Sequence, residues 1–473
     1  MLLSQLSVGA APIEITSLAY DSRSVTPGAL FFCVRGVRSD GHEHAAEAVA
    51  RGAVALVVER PLELGVAEIE VGSARAAMAE IAVRFYGDPS AALRVLGVTG
   101  TNGKTTSVFL LAGLLSAAGE QCALLGTVKS VIGGREGGVT HTTPEAIDLQ
   151  SSFAAMRDGG DRACAMEVSS HALAQNRVQG THFAAALFTN LTQDHLDYHA
   201  TMEDYFAAKR RLFAGEVPLR VINLDDPYGR RLLAEHPGAV TFALSRPADY
   251  GARDPRFSVA GARFVATTPD GELELSSRLP GRFNVSNVLG ALATAHSLGV
   301  PLDAIAEALP QIAPAPGRFQ ALDEGQPFTV LIDYAHTPDS LENVLRAARS
   351  LSERRLLCVF GCGGDRDRGK RPLMGRISAE LADHTIVTSD NPRSEAPEAI
   401  VAEILAGVPA GGVAVETMID RREAIARAIS LAHAGDVVVI AGKGHEQGQE
   451  FADGRRLPFD DALVARDELR ARG

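Results

Sequence analysis

The chain contains no tryptophan, only five cysteines and no surplus of positive charge. The missing tryptophan stands against 46 glycines, a balance that points to many tight strand-to-helix turns. Cys33, Cys122, Cys164, Cys358 and Cys362 are odd in number and form no CxxC pair. Cys358 and Cys362 stand four apart across the end of an apolar run, without the histidine spacing that would complete a zinc site. Free thiols in a reducing compartment are expected. No stretch reaches the roughly 18 consecutive apolar residues of a membrane span. The N-terminal MLLSQLSVGAAPIEI has no basic region and too short an apolar run for a secretory signal, so a cytoplasmic protein is expected. Lys and Arg number 46 against 58 Asp and Glu, a formal net charge of −12. That field repels nucleic acid and anionic membrane, so an anionic substrate needs local basic clusters.

The 473 residues, 46% hydrophobic and 22% charged, have the balance of an ordinary soluble protein with about three packed cores. Residues 1–92 read as a small α/β unit. Its strands are expected over 29–34 and 53–58, with a helical segment over 42–51 and GDPS (Gly87 to Ser90) closing it. A second unit, 93–315, starts with the strand-like LRVLGV, a Gly-rich turn and a helix with Gly119 near its end. Further strands are expected over 163–168, 184–188 and 219–224. APAPGRF (Ala313 to Phe319) is the best linker, and a third α/β unit, 316–473, has strands over 328–332, 356–360, 385–388 and 437–440. Strands alternating with helices imply parallel, doubly wound sheets, whose ligands bind at the carboxyl ends of the strands. The chemically rich segments follow those strand ends.

GVTGTNGKTT (Gly97 to Thr106) is a phosphate-binding loop: glycines turn backbone N–H groups inward, Lys104 reaches the β and γ phosphates, and Thr105 can ligate Mg²⁺. Val98 stands where the ordinary motif has its first glycine. Glu167, in AMEVSSHAL, is either a second ligand of the nucleotide metal or a solvated strand-end carboxylate. Asp194, His195, Asp197 and His199 either bind metal or decorate a loop. Lys209, in YFAAKRRLF, reads by itself as an exposed helix lysine. GCGGDRDRGKRP holds Arg366, Arg368, Lys370 and Arg371, either an anion-binding loop or a solvated one. Asp390 to Arg393 (DNPR) is either an ordinary Asn-Pro turn or a zwitterion site, with an ammonium on the Asp and a carboxylate on the Arg.

Together, GTNGKTT, AMEVSSHAL, FTNLTQDHLDYH, YFAAK, GRFNVSN, DYAHTPDSL, FGCGGDRDRGKRPLM, DNPR and AGKGHE resemble the Mur ligases, and within them the MurE type, over essentially the whole chain. The resemblance implies three domains: one for a UDP-sugar, a central P-loop ATPase, and a Rossmann-like C-terminal domain that brings the amino acid. It implies ATP contacts at Gly100, Thr101, Asn102, Gly103, Lys104, Thr105, Thr106, Asn287, Arg318 and Asp333. Lys104, Glu167, His195 and Lys209 match the catalytic set. Thr105, Glu167, His195 and Lys209 match the Mg²⁺ sites, with Lys209 matching a lysine that is carbamylated in the family. Tyr20, Ser22, Thr142, Thr143, Ser169, Gln175 and Arg177 match the UDP-substrate site. Tyr20 and the Val37 to Ser39 segment fall on its uracil side, with residue types unlike the family's. Arg366, Asp390, Asn391, Pro392, Arg393, Gly442 and Glu446 match the diaminopimelate pocket.

The resemblance implies that ATP activates the D-Glu γ-carboxylate of UDP-N-acetylmuramoyl-L-alanyl-D-glutamate as an acyl phosphate, which the amine of meso-diaminopimelate then attacks. Small-molecule substrates, no nucleic acid, no membrane span and a monomeric state are expected. Alternatives are ligases for L-lysine, a D-Ala dipeptide or folate glutamate, a P-loop NTPase switch, and a noncatalytic paralogue. DNPR with Arg366 weighs against lysine, whose far end has no carboxylate and would leave the Arg393 fork without its partner. YDSR and GVRSDG weigh against folate. A switch would leave the DNPR and GKGHE segments idle, and the catalytic set is complete in this chain.

Overall fold

The computed structural model describes residues 1–7, 10–36, 39–409 and 414–472. It divides into two compact units. Met1–Thr99, Gly119–Ala186 and Ala208–Pro218 form the first; Gly100–Ala118, Leu187–Ala207 and Leu219–Gly473 form the second.

In the first unit, β1 (Ser17–Ala19), β2 (Ala29–Phe32), β3 (Ala53–Val58) and β4 (Ala67–Glu70) make a parallel sheet in that order. ALFF and AVALVV are unbroken apolar runs because both faces are covered. Leu30, Phe32, Ala55 and Val57 pack with Met78 and Ile81 of the helix Ala74–Phe85. Their neighbours Phe31, Leu56 and Val58 pack with Ala45 and Ala48 of the helix Ala45–Ala50. The expected helix over 42–51 begins as a 3₁₀ turn, Gly41–His44, capped by Asp40. Beyond it lie β5 (Arg94–Thr99), β6 (Cys122–Leu125), β7 (Ser130–Ile132), β8 (Arg135–Gly137) and β9 (Ala163–Glu167). Within this unit they stand in the order β5-β9-β6-β7-β8. β9 runs parallel to both its neighbours, and β6 to β8 form antiparallel hairpins. The strand β10 (Phe183–Phe188) carries the chain into the second unit.

The second unit holds the parallel pair β11 (Leu219–Asn223) and β12 (Val240–Phe242). It also holds an antiparallel meander, β13 (Gly251–Ser258), β14 (Gly261–Thr268) and β15 (Gly271–Ser277). The sequence reading placed no strands there. Polar side chains stand on both faces of β13, GARDPRFS, so no apolar alternation marks it. The helix Lys104–Ala117 is followed by Gly119 at φ +84°, in the left-handed conformation that ends helices.

The C-terminal sheet contains β16 (Gln320–Leu322), β17 (Thr329–Asp333), β18 (Leu356–Phe360), β19 (His384–Val387), β20 (Ala414–Thr417) and β21 (Val437–Ala441), in the order β16-β17-β21-β18-β19-β20. Only the edge strand β16 is antiparallel. Alternate residues of one strand serve opposite cores: Cys358 and Phe360 face one, Leu357 and Val359 the other. That division is the doubly wound arrangement expected from the apolar runs. Burial pushes the Cys358 and Cys362 thiols up to about 12, as expected of inert core thiols. Among the described residues no helix is long and apolar enough to cross a membrane.

Arg421 and Asp461 begin the helices Arg421–Leu431 and Asp461–Arg472, and both side chains are wholly buried. Arg421 Nε and Nη2 each donate to the carboxylate at 2.7 Å, Nη2 donates to Ala441 O at 2.9 Å, and Nη1 donates to Ser389 O at 3.4 Å. This guanidinium therefore holds the residues that follow β19 and end β21. Asp461→Ala leaves it buried without its counter-charge and is expected to cost about 3–5 kcal/mol in chemical denaturation. A loss under about 1 kcal/mol would contradict the role.

Candidate functional site

The second unit contains a cavity of about 310 Å³. Asn102, Gly103 and Thr106 of the Gly-rich turn line it, together with Asn287, Arg318 and Asp333, so six of the residues expected to contact ATP share one space. The turn is built for close approach. Gly100 lies at φ +157°, and a Cβ there would stand 1.8 Å from Thr189 Oγ1; Gly103 lies at φ +87°, and a Cβ there would stand 2.3 Å from Asn287 Oδ1. Asn190 Oδ1 accepts from the Asn102 backbone N–H at 2.8 Å, and Thr101 Oγ1 donates to Thr192 O at 3.1 Å. Lys104 Nζ donates to the carbonyls of Gly100 and Thr101, both at 2.9 Å, so its ammonium lies over the loop.

Arg318 closes the other side. Its Nη2 donates to Thr105 Oγ1 at 3.0 Å, and its guanidinium stacks 4.6 Å from the Tyr334 ring. Its Nε is buried with no partner, a donor that a ligand oxygen would satisfy. Asp333 Oδ2 accepts the Phe319 N–H at 2.7 Å. Asp339, not singled out from the sequence, accepts from Asn102 Nδ2 at 2.7 Å. Its signal was its place in DYAHTPDSL.

His195 is also in the second unit, at φ +56°. Its Nε2 lies 3.3 Å from Asp194 Oδ2, and His336 Nε2 lies 3.8 Å from the same oxygen. Among the described residues, no three His, Cys, Asp or Glu side chains gather into a metal cluster, so the Asp194, His195, Asp197 and His199 quartet forms none. Mg²⁺ needs no such cage: it keeps several waters and takes one or two carboxylates plus substrate phosphates. The hydroxyl of Thr105 and the carboxylate of Glu167 are oxygen donors of that kind.

In the first unit, Glu167 is 1% exposed and is no solvated strand-end carboxylate. Its Oε1 accepts the Thr127 N–H at 2.7 Å, and a Cβ at Gly126 would stand 2.6 Å from that oxygen. Lys209 is 1% exposed, its Nζ 3.5 Å from Thr99 Oγ1; burial corrects the reading of an exposed helix lysine. Thr142, Thr143, Ser169, Gln175 and Arg177 join one network. Thr143 Oγ1 donates to Glu167 O at 2.8 Å and accepts the Ser169 N–H at 3.1 Å. Arg177 donates to Thr143 O at 2.9 Å and to Gln175 Oε1 at 2.8 Å, and Thr142 Oγ1 lies 3.1 Å from Thr127 Oγ1. The carboxylate of Glu145, missed from the sequence although it follows Thr142 and Thr143 closely, is shared by Arg177 at 3.0 Å and Arg75 at 2.7 Å. Tyr20 donates to Asp148 at 2.6 Å, near this network, whereas Ser22 bonds Glu47 at 2.8 Å on a different helix. Val37 and Arg38, of the expected uracil-side segment, lie outside the described residues.

The strand-end loops of the C-terminal sheet bring Arg366, Asp390, Asn391, Pro392, Arg393, Gly442 and Glu446 together. Asn391 Nδ2 donates to Glu446 Oε2 at 2.9 Å. Arg393, at φ +51°, donates through Nε to Glu450 Oε2 at 3.0 Å and through Nη1 to Gly364 O at 2.8 Å. A Cβ at Gly363 would stand between Arg393 Nη1 and Arg366 Cγ, at 3.0 and 3.8 Å. A Cβ at Gly442 would stand 2.6 Å from Asp390 Oδ2. The neighbouring basic loop divides. Arg371 is fully buried between Glu395 and Glu403, and Arg368 pairs with Glu403, so both hold the loop together. Lys443 and Glu450 were missed; the first lay inside the AGKGHE motif, the second beyond every motif.

Burial lifts the Asp333 carboxyl from its ordinary 3.8 to about 6, against the pull of Arg318 and of backbone amides. The native state therefore keeps a proton that the unfolded chain has released. The stability this gives is full below pH 3.8 and is lost as pH rises through about 6. Stability of the parent minus that of Asp333→Asn is expected to fall by roughly 2 kcal/mol between pH 4 and 7 in urea denaturation. A pH-independent difference would contradict this.

The comparisons with known proteins agree with this geometry. The model of the Mur ligase family catalytic domain matches residues 14–86, that of the Mur ligase middle domain residues 98–295, and that of the Mur ligase, glutamate ligase domain residues 317–444. The UDP-N-acetylmuramoyl-L-alanyl-D-glutamate–2,6-diaminopimelate ligase of Geobacillus thermodenitrificans is 47% identical over 470 residues, covering 97% of this chain and 96% of that protein. The ligase of the same name from Thermosynechococcus vestitus is 48% identical over 468 residues, 97% and 94% of the two chains. A solved structure of a UDP-N-acetylmuramoyl-L-alanyl-D-glutamate–2,6-diaminopimelate ligase superposes with a TM-score of 0.71 at 37% identity, over 100% of this chain and 99% of that one. MurF ligase from Thermotoga maritima, solved in complex with ADP, shares the fold at a TM-score of 0.70 and 18% identity, over 98% and 99%. With its three α/β domains matched in order and relatives nearly half identical along its length, this chain belongs to the Mur ligases, the ATP-dependent amide ligases of peptidoglycan precursor synthesis.

Proposed function

We propose that the chain joins meso-diaminopimelate to the D-Glu γ-carboxyl of UDP-N-acetylmuramoyl-L-alanyl-D-glutamate, converting ATP to ADP and phosphate. The observation that carries the amine specificity is the C-terminal pocket, where Asp390 and Arg393 offer an acid and a guanidinium from the one loop that follows β19. A diamino dicarboxylic acid has an ammonium for the first and a carboxylate for the second. L-Lysine has nothing for Arg393. The names of the relatives point the same way.

The γ-carboxylate attacks the γ-phosphorus of ATP and ADP leaves, giving an acyl phosphate. The amine attacks the acyl carbon and phosphate leaves with the bond electrons. The loop N–H groups from Gly100 to Thr106 bind phosphate oxygens. Lys104 exchanges the Gly100 and Thr101 carbonyls for phosphate oxygens and offsets the charge that builds between two anions. Asn287, Arg318 and Asp333 hold the nucleotide, Arg318 using the Nε that the protein leaves without a partner. Ser22, Thr142, Thr143, Ser169, Gln175 and Arg177 hold the UDP-substrate, with Tyr20 toward its uracil. Thr105, Glu167, His195 and Lys209, the last as a carbamate, are the ligands we assign to Mg²⁺, which neutralises phosphate charge when bound. Lys209, only 1% exposed, sits inside the protein with its Nζ near Thr99 rather than on the solvent face of its helix. Residues 1–92, 93–315 and 316–473 are the UDP-sugar, ATPase and amino-acid domains. The enzyme works as a cytoplasmic monomer.

The test is a ligation assay with ATP, Mg²⁺ and UDP-N-acetylmuramoyl-L-alanyl-D-glutamate, offering meso-diaminopimelate, L-lysine or no amine. A tripeptide product with meso-diaminopimelate alone is expected. Product with lysine instead would overturn the Arg393 assignment, and phosphate release indifferent to amine and UDP-substrate would overturn the ligase reading. Arg393→Ala is expected to raise KM for meso-diaminopimelate by about 100-fold, because a buried substrate carboxylate loses its partner. KM for ATP should stay within about threefold of the parent.

A further inference from the structure

Lys443 is fully buried and belongs to none of the groups assigned above. Its Nζ donates to Asn391 Oδ1 and to Glu446 Oε2, both at 2.9 Å, and stands 3.7 Å from Asp390 Oδ1. The two carboxylates are thus compensated unequally. Glu446 accepts from Lys443 and Asn391, and Tyr334 donates to its other oxygen at 3.3 Å. Burial alone would raise the Glu446 carboxyl, yet the Lys443 charge and these donors bring it below its ordinary value. Asp390, 5% exposed, is different: among the described residues no donor comes within hydrogen-bonding distance of its carboxylate. Its Oδ2 faces Gly442, where the missing side chain leaves the approach open. Buried carboxylates ordinarily accept hydrogen bonds, so Asp390 is a site awaiting a cation.

We propose that Lys443 is the positioning residue of the amino-acid pocket. Its ammonium fixes Asn391 and Glu446 and cancels one of the two carboxylate charges, leaving Asp390 as the single acceptor for the substrate's ammonium. This rests on the reading of the DNPR loop as the amine site. Arg421 pairs with Asp461, and Arg393 spends Nε on Glu450 and Nη1 on Gly364 O, which leaves Nη2 for the substrate carboxylate. Without Lys443, buried Asp390 and half-buried Glu446 are two uncompensated anions for one incoming ammonium, and the geometry that selects a zwitterion is lost.

The experiment separates the two half-reactions. Hydroxylamine converts an acyl phosphate to a hydroxamate and free phosphate, so hydroxamate formation from ATP and the UDP-substrate reports activation without the amine pocket. Tripeptide formation reports the pocket. Hydroxamate from the parent enzyme tests the ligase reading itself; its absence would overturn that reading rather than the role of Lys443. In Lys443→Met, KM for meso-diaminopimelate is expected to rise by about 30-fold or more, as when one member of a buried charge pair is removed. Hydroxamate formation and KM for ATP should remain within about twofold of the parent. Lys443→Arg, which keeps the charge, should recover at least about half of that loss on a logarithmic scale. If Lys443→Met precipitates, Lys443→Gln, which keeps a donor without the charge, takes its place in every arm. A KM within about threefold of the parent overturns the inference. So does equal loss of hydroxamate and tripeptide, which would make the role of Lys443 general to the fold. An arginine variant no better than the methionine variant overturns it as well.

Discussion

The buried pair Arg421–Asp461 is the constraint on which the C-terminal pocket depends. A guanidinium with no exposure is tolerable only with a carboxylate and carbonyls around it. Arg421 takes its carboxylate from the helix Asp461–Arg472 and its carbonyls from Ser389 and Ala441. Those carbonyls lie at the roots of the loops that carry Asp390 and Gly442. The same interaction that ties two helix starts to the sheet therefore sets the spacing of the pocket. Lys443, one residue beyond Gly442, extends the polar network from the sheet into the loops. An acidic chain can in this way build a loop cluster in which most acids and bases are paired locally.

The cavity beside the Gly-rich turn rests on another constraint, the absence of side chains. Gly100 and Gly103 occupy left-handed conformations that favour glycine, with Thr189 and Asn287 packed where a Cβ would project. The backbone N–H groups can then face a phosphate at the start of the helix Lys104–Ala117. Lys104 satisfies its ammonium on two loop carbonyls, a partner set it can exchange for phosphate oxygens. Arg318 joins this loop through Thr105 while stacking on Tyr334, so the cavity beside the Gly-rich turn and the DNPR loop cluster share one aromatic ring: Tyr334 donates to Glu446.

Much of the fold was legible because buried parallel strands are unbroken apolar runs. The expected strands at 53–58 and 356–360 match the structure residue for residue, and those at 163–168, 184–188, 219–224 and 437–440 match to within a residue at either end. The meander from Gly251 to Ser277 was illegible because its strands mix polar and apolar residues without alternation. The candidate site was legible where polar residues follow a strand end in a compact motif, as in GTNGKTT and DNPR. Glu145 and Glu450 were not, because each holds its place only through a partner distant in sequence. Arg371 shows the converse: a conspicuous arginine in a basic loop is wholly used by Glu395 and Glu403.

By itself, the sequence determined the alternation of strands and helices, the Gly-rich turn, and the order of motifs that identifies the family. These are local properties, set by apolar period, by glycine's lack of a Cβ and by residue type at fixed spacing. Tertiary structure alone decided which charges remain available. It buried Lys209 and Glu167, which composition would leave in solvent. It neutralised Arg368 and Arg371, and left the Asp390 carboxylate without a donor. Charge availability depends on what stands within a few ångströms, and those neighbours come from strands and loops far apart along the chain.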